Sequence, residues 1–167
     1  MLDPIVKEIE VPCGQRTAFE VFVNDMASWW PLDRFSVSAY SGHPARALRV
    51  EPRQGGTITE VAHDGSEHLW GRITRYDPHD YLAMDFHIVP AVYRTGEGDQ
   101  DFTLVEVRFT PLDDGGTRVR LTQSNWEALG EMAEMVQGGY GKGWTVIFEQ
   151  RYRKACAGRR RDSPATA

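Results

Sequence analysis

The sequence predicts an α+β fold: a curved antiparallel β-sheet wrapped around a long C-terminal α-helix, with two short helices after the first strand. Three observations predict it. Apolar residues recur with period two through most of residues 45–123, as in half-buried strands. Glycine, proline and Asp-Gly turn residues cut that stretch into pieces of strand length. Near residue 127 the apolar period switches toward 3.6. An antiparallel sheet needs at least one face covered, and the terminal helix is the only large apolar element available to cover it.

Residues 5–11, IVKEIEV, read as a strand that Pro12 stops. From Gln15 to Asn24, residues Ala18, Phe19, Phe22 and Val23 fall at helical spacing. A second helical turn, Asp25 to Trp30, ends at Pro31, because the residue before proline avoids helical geometry. After a loop with Gly42 and Pro44, strands are predicted at 45–51, 57–61, 67–76 and 81–89, with Asp64-Gly65 as a hairpin signal. In 81–89, Leu82, Met84, Phe86 and Ile88 share one face, and Ala83, Asp85 and His87 share the outer one. Residues 90–101 hold Gly96, Gly98 and few apolar side chains, which predicts a mobile loop. Two further strands, 102–110 and 117–123, flank a turn at 113–116. Glu127–Gln137 is predicted to be helical and GGYGKG at 138–143 to interrupt it. A stronger helix then runs from Trp144 to Ala157, with Trp144, Ile147, Phe148, Arg151 and Ala155 along one face. Residues 1–157 are expected to form one domain, and the tail 158–167, GRRRDSPATA, to be disordered.

The bulk properties narrow the function. At 167 residues, 41% hydrophobic and 26% charged, the chain can bury a real core. A net charge of −5 argues against a nucleic-acid surface. No apolar run approaches the ~20 residues of a membrane helix, and MLDPIVKEIEVP is not a signal peptide. A cytoplasmic location follows as the expectation, with Cys13 and Cys156 as reduced thiols. His43, His63, His68, His79 and His87 show no metal-ligand spacing and no paired-cysteine site exists, so neither metal nor cofactor is expected. GGYGKGW superficially looks like a phosphate loop, but Gly143, not Ser or Thr, follows Lys142, and no strand leads into it. Ser36, Ser38 and Ser124 have no evident base and orienting acid.

Eight short pieces, in order, carry a family resemblance. They are AFEVF at 18–22, WWPL at 29–32, GGTITE at 55–60, DGSEHLWGRI at 64–73, DPHDYLAMDF at 77–86, VEVRFTP at 105–111, GGTRVRLT at 115–122 and YGKGW at 140–144. Together they resemble the START-like (SRPBCC) superfamily, and within it the bacterial proteins named after the heat-shock-protein-90 ATPase activator, over about residues 5–157. The resemblance implies a helix-grip fold. It also implies that Trp29-Trp30-Pro31 closes the short helices against the mouth of the sheet, with one indole packed inward and the other flanking a cavity; the alternative is that both are simply core.

Glu60 is the notable polar residue. If Ile58 faces inward, period two turns Glu60 inward as well, where a carboxylate needs hydrogen bonds or a charged partner. Arg72 and the indole N–H of Trp70 or Trp144 are the candidate partners. Glu60 is then a ligand anchor, a general base or a structural carboxylate. Trp30, Trp70, Met84, Phe86, Trp126, Tyr140, Trp144 and Phe148, with Glu60 and Arg72, are the candidate residues around a hollow between sheet and C-terminal helix. The leading expectation is a binding protein holding a small hydrophobic molecule there, since ligand pockets are mostly apolar with a few placed polar groups. The fold also hosts cyclases, aromatases and hydrolases, so an enzyme acting on an aromatic or polyketide-like substrate, with Glu60 as acid or base, is the alternative. A chaperone-associated ATPase activator ranks last, because the eukaryotic activators carry a further N-terminal domain for which this chain has no room. A homodimer is left open.

Overall fold

The computed structural model describes residues 2–88 and 102–159. Its strands are β1 (Ile5–Val11), β2 (Ala47–Val50), β3 (Thr57–Val61), β4 (Glu67–Asp77), β5 (Tyr81–Phe86), β6 (Thr103–Pro111) and β7 (Thr117–Ser124). They form one antiparallel sheet in the order β1-β7-β6-β5-β4-β3-β2. The period-two residues do what their pattern demands: Val105, Val107 and Phe109 are wholly buried, while Arg108 between them is exposed. Val89, the predicted loop 90–101 and the tail residues 160–167 lie outside the described residues.

Between β1 and β2 run α1 (Gln15–Val23), α2 (Met26–Trp29) and a loop with one 3-10 turn at Ser38–Ser41. Both tryptophans of the SWWP stretch are 3% exposed. Trp29 packs against Phe22 and Tyr152, and Trp30 against Trp70, Phe86 and Trp144. Each indole N–H is satisfied by a carbonyl, that of Val21 for Trp29 and that of Phe35 for Trp30.

The C-terminal helical run departs from expectation in two ways. After an irregular 3-10 segment, Trp126–Met132, helix α3 (Ala133–Trp144) passes straight through the glycine-rich GGYGKG stretch. Glycine weakens a helix without forbidding it, and packing of the element on the sheet decides. The chain then widens into a π-helix at Thr145–Tyr152 before α4 (Arg153–Arg159). Wider turns bring every fourth residue closer to one line. The buried stripe is therefore Trp144, Phe148, Tyr152 and Cys156, with Ile147 beside it, whereas Arg151 of the expected face is exposed. Gly158 and Arg159, expected in the tail, continue the helix, and Arg159 pairs with Asp25 at 2.5 Å.

That stripe closes the two ends of the chain on each other. Tyr152 donates its hydroxyl to the Ala18 carbonyl at 2.7 Å. Cys13 and Cys156 are both buried, free and in hydrogen-bond contact. The contact with Cys13, helped by burial, pushes the Cys156 thiol far above its usual range; the same bond lowers that of Cys13.

Gly138 and Gly141 lie in α3 where an added Cβ would meet nothing within 4 Å. Gly138→Ala and Gly141→Ala are each expected to raise stability by roughly 0.5–1 kcal/mol in urea unfolding. A loss of stability in both would show that the helix needs its glycines there.

Candidate functional site

Glu60 lies in β3, on the inner face beside Ile58, and is fully buried. Its Oε1 accepts hydrogen bonds from the Val37 backbone N–H at 2.7 Å and the Trp70 indole at 2.9 Å. Its Oε2 accepts from the Ser38 backbone N–H at 2.9 Å. Trp70 reaches it because β4 bulges opposite the Ile58/Thr59 step, leaving Trp70 outside the regular register. Gly71 follows, and a Cβ there would sit 1.7 Å from the Asp85 carbonyl oxygen, so only glycine lets β5 approach the bulge. Arg72 stands opposite Thr57 and Asp85 and is exposed; it does not meet Glu60.

The carboxylate thus ties residues 37–38 to the sheet, and two buried serines complete the tie. Ser36 Oγ donates to the Leu32 carbonyl at 2.7 Å and accepts from the Ala39 N–H at 3.0 Å. Ser38 Oγ accepts from the His63 backbone N–H at 2.9 Å. Deeper in the core a second polar chain runs from the Trp144 indole to Gln123 Oε1, from Gln123 Nε2 to Thr103 Oγ1, and from that hydroxyl to the Phe86 carbonyl, with steps of 2.8, 2.8 and 2.6 Å. Trp144 therefore serves Gln123, not Glu60.

A cavity of about 530 Å³ opens where the Glu60-held loop faces α3. Phe35 and Tyr40 come from the loop, Ile88 from the end of β5, and Met135, Val136 and Ile147 from the helical run. Gly139 and Gly143, one helical turn apart, also border it; a Cβ on Gly139 would meet nothing within 4 Å, while one on Gly143 would touch the Phe35 ring at 3.4 Å. Polar groups on the walls are few. Arg34 has its guanidinium 5.3 Å from the centre of the Phe35 ring. Tyr140 Oη accepts from the Ile88 N–H at 2.8 Å and lies 3.4 Å from His87 Nδ1. Tyr40 and Met135 are 67% and 65% exposed at its rim.

The chain's family follows from the same span. A family profile described as activator of Hsp90 ATPase homolog 1-like protein matches residues 16–150. The chain belongs to that family. No curated protein matches it. Solved structures do. The anthrahydroquino-γ-pyrone synthase Txn09 is 27% identical, with 92% of this chain and 97% of that one covered and a TM-score of 0.65. CalC, a self-sacrificing resistance protein from Micromonospora echinospora, is 22% identical over 98% and 97%, with a TM-score of 0.65. An HSP90 activator from Plasmodium falciparum is 17% identical over 87% and 96%, with a TM-score of 0.51. The START-like, helix-grip fold is shared with these structures.

Within this family member the residues singled out from sequence separate into distinct places. Tyr140 borders the cavity. Trp30, Trp70, Met84, Phe86, Trp144 and Phe148 fill the interior between sheet and helix, and Trp126 is buried at the start of the helical run. The Trp126 indole N–H has no acceptor among the described residues. His87, assigned to the outer face, is 6% exposed and lines the cavity, because β5 ends at Phe86 and its alternation ends with it. Arg34, Phe35, His87 and Gly139 had gone unnoticed as site residues. Their one signal was the glycine pair spaced four apart in a helix. Among the described residues no group of three or more His, Cys, Asp or Glu could hold a metal ion, and no helix is long and apolar enough to cross a membrane.

Glu60→Gln keeps the shape but presents an amide N–H₂ to at least one buried N–H donor. A loss of about 2–3 kcal/mol is expected in chemical denaturation. Wild-type stability in this variant would show that the three bonds contribute little.

Proposed function

We propose that this protein binds a small, largely apolar molecule in the cavity between α3 and the 34–40 loop. The observation that carries this is the cavity itself. Its volume of about 530 Å³ falls within the roughly 300–1,000 Å³ of small-molecule sites. Its walls are almost entirely apolar, yet two large apolar side chains stay exposed at its rim, where a folded monomer gains nothing by exposing them. Glu60 has both oxygens engaged by protein donors, so its role here is to hold the wall.

A second reading, an enzyme acting on an aromatic or polyketide-like substrate, is supported by the 27% identity to a pyrone synthase. In that case the groups placed to move a proton are Tyr140 and His87 on the cavity wall. The chaperone reading rests on the family's name and on a fold-level likeness.

Gly139 offers a clean test, since a side chain there projects into open space. Anthracene-9-methanol, a neutral flat probe, is expected to bind the native protein and quench its tryptophan emission. Gly139→Leu should weaken that binding at least tenfold while leaving the melting temperature unchanged or higher. Absence of binding, or equal binding by the variant, overturns the proposal.

A further inference from the structure

We infer that the ligand of this cavity is an anion: an aromatic or other apolar body carrying a carboxylate that pairs with Arg34. The inference rests on the binding reading above and specifies its chemistry. Among the described residues Arg34 is the one permanently charged side chain on the cavity wall, and no carboxylate lies among those lining it. Among the described residues Arg34 makes no ion pair, although Asp33 precedes it in the chain.

The Arg34 side chain is exposed at the cavity rim, where an anion can reach it. It lies over the Phe35 ring, and the Phe35 carbonyl is fixed in turn by the Trp30 indole at 2.8 Å. A guanidinium stays protonated at any physiological pH and offers paired N–H donors that match a carboxylate. A cationic ligand would meet repulsion there and find no counter-charge. The protein's net charge of −5 opposes an anion at long range. Salt screens that field over about 8 Å at physiological ionic strength, so at contact distance the pair with Arg34 outweighs it.

Two probes of equal shape separate this from the binding reading. Anthracene-9-carboxylate is ionised at neutral pH and anthracene-9-methanol is not. In low salt the wild-type protein is expected to bind the carboxylate on the order of fivefold more tightly. That preference, read as the ratio of the two probes' affinities within each protein, should shrink as salt is added and vanish in Arg34→Gln. If the methanol binds and the carboxylate is not preferred, or if Arg34→Gln keeps the preference, the inference is overturned and the cavity reading stands. If neither probe binds, both are overturned.

Discussion

The structure depends on one buried carboxylate. Glu60 sits in a strand where nothing but protein reaches it, and its two oxygens receive three N–H donors. Removing a carboxylate from water costs several kcal/mol, so it persists only where strong hydrogen bonds replace the lost hydration. Charge-assisted bonds of roughly 1.5–3 kcal/mol each can offset that cost. Two of the donors belong to the loop after the short helices and one to a bulged strand, so a single side chain fixes loop, sheet edge and tryptophan together. Without it, residues 34–40 would keep their serine bonds, the Trp30 indole on the Phe35 carbonyl and backbone bonds to Pro31, but would lose their direct tie to β3.

The cavity in turn arises from what the helix lacks. An interior filled by Trp30, Trp70, Phe86 and Trp144 leaves no room beneath the centre of the C-terminal run. Room appears about one turn before Trp144, at Gly139, where an added Cβ would meet nothing within 4 Å. Each glycine costs a helix about 1 kcal/mol relative to alanine. A helix bearing four of them within six residues survives because its neighbouring turns are anchored, by Trp144 on Gln123 and by Tyr140 on the Ile88 N–H.

Regular periodicity made the fold legible before any coordinates. Alternation in β5 and β6 and the later switch of period were enough to give sheet, helix and their contact, and Ile58 was enough to turn Glu60 inward. What stayed hidden were departures from regularity. A bulge at Trp70 gave Glu60 its indole partner, and Arg72 kept to the outer face. A π-helix moved Tyr152 and Cys156 into the stripe in place of Arg151 and Ala155. The end of β5 released His87 from its alternation. Glycines that suggested a break were a hollow in an unbroken helix. Ideal periodicity misassigns side chains where the backbone leaves it, and of these departures the end of β5 brings His87 to the cavity wall.

The polar groups that stabilise the interior lie apart from the cavity wall. The polar groups of the deep core are spent on each other: Glu60 on three donors, Trp144 on Gln123, Gln123 on Thr103. A group so engaged cannot turn toward a ligand without leaving a buried donor or acceptor unpaired, at about 1–3 kcal/mol. In the proposed binding role, recognition falls to the groups on the cavity wall, Arg34, His87 and Tyr140; Tyr140 also packs on Phe86, Trp126 and Trp144. The fold supplies the cavity in that role, and Arg34, His87 and Tyr140 supply the polar groups that face it, so one helix-grip fold can host different functions by changing such a wall.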